Sequence, residues 1–303
     1  MSGAAVLTVS YVLLAVFVVG FVVRCVTLAR LPLHLRWELA PVPHESGRRR
    51  YGGSYFEEFE WWTRPRGKSR TSELAYMLRE ILLLKAVWEE NRRLWWLSFP
   101  LHLGLYLLGG AVVMSLAAVA LGMVGVAAAG SAVVRAAIAV LAGSGSGLGA
   151  VGAAGLLARR VLDAGLADFS PPASLLNLAL LVILFATGLL AVARTPYAAG
   201  MAAYLHALVT ARGAAATGGP LQAHVAVGLV FLAYLPFSQM MHFVAKYFTY
   251  HGVRWDDEPM VTGSRMEREV RSLLAQPVSW AAPHLGADGR KNWVDIATGG
   301  AGR

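Results

Sequence analysis

His224 and His242 stand 18 residues apart around an apolar stretch of membrane-spanning length. On one continuous helix, 18 residues at about 100° each complete about five turns and about 27 Å of rise. Both imidazoles would then leave the same helix face, one near each edge of a hydrocarbon core about 30 Å thick. Histidine is costly in lipid, normally faces the bundle interior and marks a functional path there. Two stacked histidines of this kind fit ligands for two haems, one per leaflet, wiring the chain across the membrane.

A third histidine strengthens that chemistry. His102 lies in FPLHLGLYLL, about two turns into an earlier apolar segment that runs in the opposite direction, so it reaches the depth of His242. Two neutral imidazoles from facing helices hold a low-spin haem iron and leave no open position for oxygen chemistry. Hydrogen bonding between helices explains one intramembrane histidine well. A pair at one edge plus a third five turns away favours ligation.

The elements that must position these residues are membrane spans. The 303 residues are 56% hydrophobic and 15% charged, with a mean hydropathy of +0.53, whereas soluble domains carry about 25% charged residues. Segments 5–28, 95–122, 132–158, 173–193 and 220–248 are apolar enough to cross a bilayer. Stretch 29–94, connection 159–172 and the tail from 246 hold 23 of the 27 Lys and Arg and all 18 acidic residues. The positive-inside rule then places the N-terminus outside and the C-terminus inside. The net charge of +9 is a topology signal, and no nucleic-acid partner is expected. The expected fold is an all-α membrane protein, a five-transmembrane-helix bundle with a long cytoplasmic loop after helix 1 and a cytoplasmic C-terminal tail. Residues 1–248 would form the membrane domain and 249–303 a docking tail.

Several features read as structural. The first span has no basic segment before it and is flanked by Arg24 and Arg30, so it is not a cleavable signal peptide. The single cysteine, Cys25, excludes a disulfide or a cysteine-ligated cluster built from this chain alone. GSGSGLGAVGAAG at 143–155 contains a GxGxxG spacing, but no strand precedes it and no acidic residue follows in the required context. Its small residues instead suit close helix approach in a membrane. Residues 72–90 carry Leu74, Met77, Leu78, Ile81, Leu82, Lys85 and Trp88 on one helical stripe, with Ser72 as the N-cap. Such a helix lies on the inner surface or docks a partner.

The span count, orientation and histidine positions resemble the γ subunit of respiratory nitrate reductases. LPLHLRWELAPVPHE, YGGSYFEEFEWW and HFVAKYFTYHGVRWDD are similar to a branch of that superfamily. That branch holds the cytochrome b subunits of sulfite-reduction-associated complexes (DsrM) and of heterodisulfide-reductase-like complexes. The resemblance implies two haem b groups, quinol oxidation near the outer haem and electron transfer to a cytoplasmic iron–sulfur subunit. It also implies the prokaryotic cytoplasmic membrane, with further membrane and periplasmic subunits as partners. His102 and His242 match the inner-haem ligands, and His224 matches one outer-haem ligand. The nitrate reductase pattern has a second histidine ten residues after the first on span two, where this chain has Val112.

The expected substrate is menaquinol. Arg194, Tyr197, Tyr204, His206 and Arg212 are the candidates for handling it on the outer side. His206 is also the candidate for the second outer-haem ligand, with Met114 on span two as the alternative and a five-coordinate or absent haem as the remaining outcome. Trp61, Trp62, Tyr250, Arg254 and Trp255, of types that dominate interface hot spots, are the candidate docking residues for the iron–sulfur partner. Two rival readings are a nitrate reductase γ subunit and a cofactor-free anchor or transporter. A transporter is expected to show internal repeats and broken helices near the midplane, and neither is read here.

Overall fold

The computed structural model describes residues 3–30, 40–41, 59–60, 69–212, 219–255, 261–282, 284 and 286–299. The chain divides into two units, Met1–Arg24 with Leu78–Met241, and Cys25–Met77 with His242–Arg303.

The first unit is helical and apolar. Among the described residues, five helices are long and apolar enough to cross a membrane: Gly3–Arg30, Arg92–Met123, Ala132–Leu162, Pro172–Arg194 and Gly219–Phe237. They correspond to α1 (Gly3–Arg30), α4 (Arg92–Met123), α5 (Ala132–Leu162), α7 (Pro172–Arg194) and α9 (Gly219–Tyr234) with its 3-10 extension Leu235–Phe237. Two short helices, α2 (Arg70–Leu83) and α3 (Lys85–Glu90), precede α4. A one-turn α6 (Ala164–Ala167) links α5 to α7, and α8 (Tyr197–Thr210) links α7 to α9. Caps fix the starts: Asn91 Oδ1 accepts from Leu94 N–H at 3.0 Å before α4, and Ser131 Oγ from Val134 N–H at 3.3 Å before α5.

Packing runs α4 on α5, α5 on α7 and α7 on α9, with α8 laid against α4, α5 and α9. The glycine run of α5 makes the first two contacts. A Cβ on Gly104 would overlap the backbone of Gly149, and one on Gly152 the backbone of Leu101. A Cβ on Gly149 would overlap the Phe185 ring on α7. With no hydrophobic drive between helices in lipid, such close approach is what holds them together. Segment 143–155 lies inside one uninterrupted helix, so the packing reading of its glycines stands and the dinucleotide one falls.

Two expected elements differ in extent. The stripe at 72–90 is broken, because Leu84 adopts a left-handed φ of 51° between α2 and α3. Its start also shifts, since Ser69 Oγ rather than Ser72 caps it, accepting from Ser72 N–H at 3.3 Å. Trp95 Nε1 and Tyr106 Oη on α4 donate to the Leu83 and Ile81 carbonyls at 2.8 and 2.7 Å, pinning the end of α2.

The fifth segment is not one helix over 220–248. α9 stops at Tyr234, two 3-10 turns (Leu235–Phe237 and Gln239–Met241) follow, and α10 (His242–Val253) starts anew. Pro236 lacks the N–H that an α-helix needs and crowds the preceding turn, and Ser238 is extended at φ −107°, ψ 168°. The Ser238 hydroxyl then accepts from Met240 N–H at 3.1 Å. His224 and His242 therefore do not share a face of one helix. The break closes a span of 19 residues rather than dividing its middle.

The second unit contains α10, a parallel pairing of β1 (Ala40–Pro41) with β2 (Arg254–Trp255), and a small C-terminal module. That module comprises α11 (Arg265–Leu274), the antiparallel β3 (Ala281–Ala282) and β4 (Ala287–Asp288), and α12 (Trp293–Ala297). Val278 and Ala287 are buried against Trp293 and Ile296. Asn292 and Asp295 form a capping box on α12.

Candidate functional site

His224 is the most buried histidine among the described residues, at 5% exposure. It lines an apolar cavity of about 450 Å³, within the size range of cofactor pockets. The walls come from Leu14 on α1, Leu105 to Leu116 on α4, Leu184 on α7, Met201 to Leu208 on α8 and His224 to Leu232 on α9. α4 and α9 hardly touch, so the cavity separates them.

The hydrogen bonding of this imidazole fixes its tautomer. Thr187 Oγ1 donates to the carbonyl of Ile183 at 2.8 Å or Leu184 at 2.9 Å, which uses its one proton. Its oxygen is 3.3 Å from His224 Nδ1, so Nδ1 must be the donor and Nε2 carries the lone pair. Gly188 makes room for the ring: a Cβ there would lie 3.0 Å from His224 Cε1 and would overlap Ser146 Oγ. His102 is held in the same way. Its Nδ1 is 2.7 Å from the Ser98 carbonyl oxygen, which only accepts, so here too Nε2 carries the lone pair. Metal-bound histidines typically donate their second ring nitrogen to such an acceptor. The His224 imidazole and the apolar cavity it lines therefore fit a haem.

α8 sorts the remaining candidates by face. Met201, Tyr204, Leu205 and Leu208 turn toward the His224 cavity. Ala199, Ala202, Ala203 and His206 form the opposite stripe and line a second cavity of about 470 Å³ with Arg135 of α5. The structure thus does not bring His206 to His224; one turn of α8 sends the two stripes to different cavities. Met114 packs against the core as a half-buried side chain and lines neither cavity, whereas Val112 and Leu116 on the same helix face His224.

The other candidates for quinol chemistry also separate. Tyr197 is buried at 2% exposure, its ring 6.0 Å from that of His224 and its hydroxyl without a partner. Burial pushes its phenol up to about 12. Burial likewise raises Tyr204, whose hydroxyl donates to Ser10 Oγ at 2.9 Å. Neither phenol can serve as a base near neutral pH. His206 is exposed, as are Arg194 and Arg212 at the ends of the α7–α8 connection and of α8.

His242 is the exposed first residue of α10, in the second unit. Tyr250 is on α10, and Arg254 and Trp255 form β2. Trp61 and Trp62 lie outside the described residues. Ser146, Thr187 and Gly188, which surround the His224 imidazole, were missed from sequence. Their signal was available: Ser146 and Thr187 are polar side chains inside otherwise apolar spans.

A search of curated proteins returns no match. A family model described as nitrate reductase gamma subunit matches residues 87–256, which hold α4 to α9, His102, His224 and His242. That family consists of membrane cytochrome b subunits of respiratory oxidoreductases. Matched over more than half its length, the chain belongs to the nitrate reductase gamma subunit family.

Proposed function

We propose that this chain is a dihaem cytochrome b subunit that oxidises menaquinol near the outer face of a prokaryotic cytoplasmic membrane. The observation that carries the reading is His224, a buried imidazole held with Nε2 as its lone-pair nitrogen and lining an apolar cavity. His224 holds the outer haem, and His102 and His242 hold the inner one. When bound, the two haems supply one-electron carriage from quinol to a cytoplasmic iron–sulfur subunit.

The chain's own residues provide the rest. Thr187 and the Ser98 carbonyl orient the two imidazoles. The alanine-lined cavity with His206 and Arg135 suits a flat quinol head group, with the His206 imidazole as the acceptor of its hydroxyl proton. α8 is the wall between that cavity and His224, one helix diameter of about 10 Å. Loop 29–94 and the tail 249–303 dock the iron–sulfur partner, through Trp61, Trp62, Tyr250, Arg254 and Trp255. The subunit type is that of the sulfite-reduction-associated (DsrM) and heterodisulfide-reductase-like complexes.

The test is the haem content of His102→Ala, His242→Ala and His224→Ala variants of the purified protein. The first two are expected to lose the same haem and the third a different one. Full haem content in all three would sink the assignment. A nitrate reductase partnership, the alternative that the family match favours, would appear as co-purification with a molybdenum subunit.

A further inference from the structure

A small cationic cavity lies beside the start of the α4 span. Trp95 Nε1 and Tyr106 Oη on α4 donate to the Leu83 and Ile81 carbonyls. Trp95 and Tyr106 are separated by about 16 Å of helix rise, so the end of α2 runs alongside the span rather than beyond it. The cavity at this junction has a volume of about 290 Å³ and is lined by Arg79, Leu83, Lys85, Trp88 and Trp95, all in the first unit. Trp96, 65% exposed, packs edge-on against both lining indoles.

The charge around this cavity is uneven. Among the described residues Arg79 has no ion pair. A further cation, Arg92, lies 4.8 Å over the Trp88 ring. Two carboxylates of the same helices are engaged elsewhere. Glu80 Oε2 accepts from the Ala86 N–H at 2.9 Å, Glu89 Oε1 pairs with Lys85 Nζ at 2.5 Å, and neither residue lines the cavity. A guanidinium recognises phosphate oxygens through paired N–H groups. Indole rings belong at the headgroup level of a bilayer, and basic pockets beside spans on the cytoplasmic side take anionic headgroups.

From this we propose that Arg79, Lys85, Trp88 and Trp95 form a binding site for the phosphate of one anionic phospholipid, in the leaflet on the basic side of the membrane. The volume suits a phosphate-bearing headgroup and leaves the acyl chains outside, against the exposed Trp96. A zwitterionic lipid gains less there, because its own cation meets Arg79 and Arg92. An occupant that touches Arg79 of α2, Lys85 of α3 and Trp95 of α4 ties the three helices together. The site depends on α4 crossing a bilayer and on no haem.

The experiment is native mass spectrometry of the purified full-length protein in detergent, titrated with phosphatidylglycerol, phosphatidylcholine or inorganic phosphate. The expected result is one phosphatidylglycerol retained per chain, at concentrations on the order of tenfold below those needed for phosphatidylcholine, and not displaced by inorganic phosphate. Arg79→Gln should abolish that preference, whereas Arg268→Gln on α11 should keep it. Arg79→Lys, which retains the charge and loses the fork, should weaken retention and serves if Arg79→Gln does not fold. Equal retention of the two lipids, or undiminished retention of phosphatidylglycerol in either Arg79 variant, would overturn the inference. Displacement of the lipid by inorganic phosphate would assign the cavity to a soluble anion and overturn it as well.

Discussion

At the scale of the residue, two histidines do similar work by the same device. A carbonyl at His102 and a hydroxyl at His224 each lie against Nδ1 and orient the imidazole, as the proposed haem ligation through Nε2 requires. Thr187→Val removes the acceptor at His224 while keeping the side-chain volume. The expected result is retention of both haems with the midpoint potential of one shifted by about 40 mV, the one-electron equivalent of about 1 kcal/mol for a lost hydrogen bond. Thr187→Ser should restore it, and unchanged potentials in a redox titration would count against a positioning role. Proton handling makes a separate prediction. Tyr197, at about 12, stays protonated across the physiological range, so Tyr197→Phe should leave the pH dependence of quinol oxidation unchanged. His206→Gln should slow that oxidation on the order of a hundredfold, the usual worth of a general base, as read in stopped-flow haem reduction. The burial of His224 was legible in the sequence from residue type and apolar surroundings alone. The placement of His206 was misread because it was judged by depth. Its helical face decides, and the pattern was visible: alanines at 199, 202 and 203 fall on its stripe, with Met201, Tyr204 and Leu205 on the other.

At the scale of the element, glycine contacts dominate the membrane unit. Gly104→Ala and Gly152→Ala each drive a Cβ into the backbone of the facing helix. The expected cost is about 1–3 kcal/mol, the usual range for overpacking. Gly147→Ala, with nothing within 4 Å of its Cβ, should be neutral or slightly stabilising, because alanine favours helix. Thermal denaturation in detergent followed by loss of the haem band separates the two outcomes. Five apolar segments were readable from hydropathy because lipid demands long unbroken backbone hydrogen bonding. The end of α9 was not, because apolarity continues past Tyr234 while Pro236 ends the hydrogen-bond ladder. The same limit hid Leu84, whose left-handed backbone divides a continuous apolar stripe. In the tail, α11 offers a pH test. The Gly263 N–H, then Arg271, hold the Glu267 carboxyl below the usual range. A depressed folded value adds stability above the unfolded carboxylate range and loses it as pH falls through the folded value. Hydrogen-exchange protection in α11 should therefore drop on acidification below the ordinary glutamate range, and Glu267→Gln should remove that dependence.

At the scale of the whole molecule, the chain divides into a unit of apolar helices and a second unit that holds the tail. Of the 27 basic residues, 23 fall in the loop, connection and tail assigned to the cytoplasmic side, where an iron–sulfur partner would dock. Arg254→Glu with Trp255→Ala should reduce co-purification of that partner at least tenfold without loss of haem. A complex that survives would place docking elsewhere. Helix number and membrane insertion were legible because they follow from composition. The units of the chain were less so, since the second one joins Cys25–Met77 to His242–Arg303 through contacts distant in sequence.

The central claim is that the membrane unit carries haem at the histidines and reduces it with quinol. The most direct measurement is the absorption spectrum of the purified protein before and after addition of a menaquinol analogue, with haem counted per chain. The account predicts two haem b groups, a b-type band that appears on quinol addition, and the loss of one haem in His224→Ala. A protein that inserts and folds but shows no b-type band, with or without a chemical reductant, would contradict it.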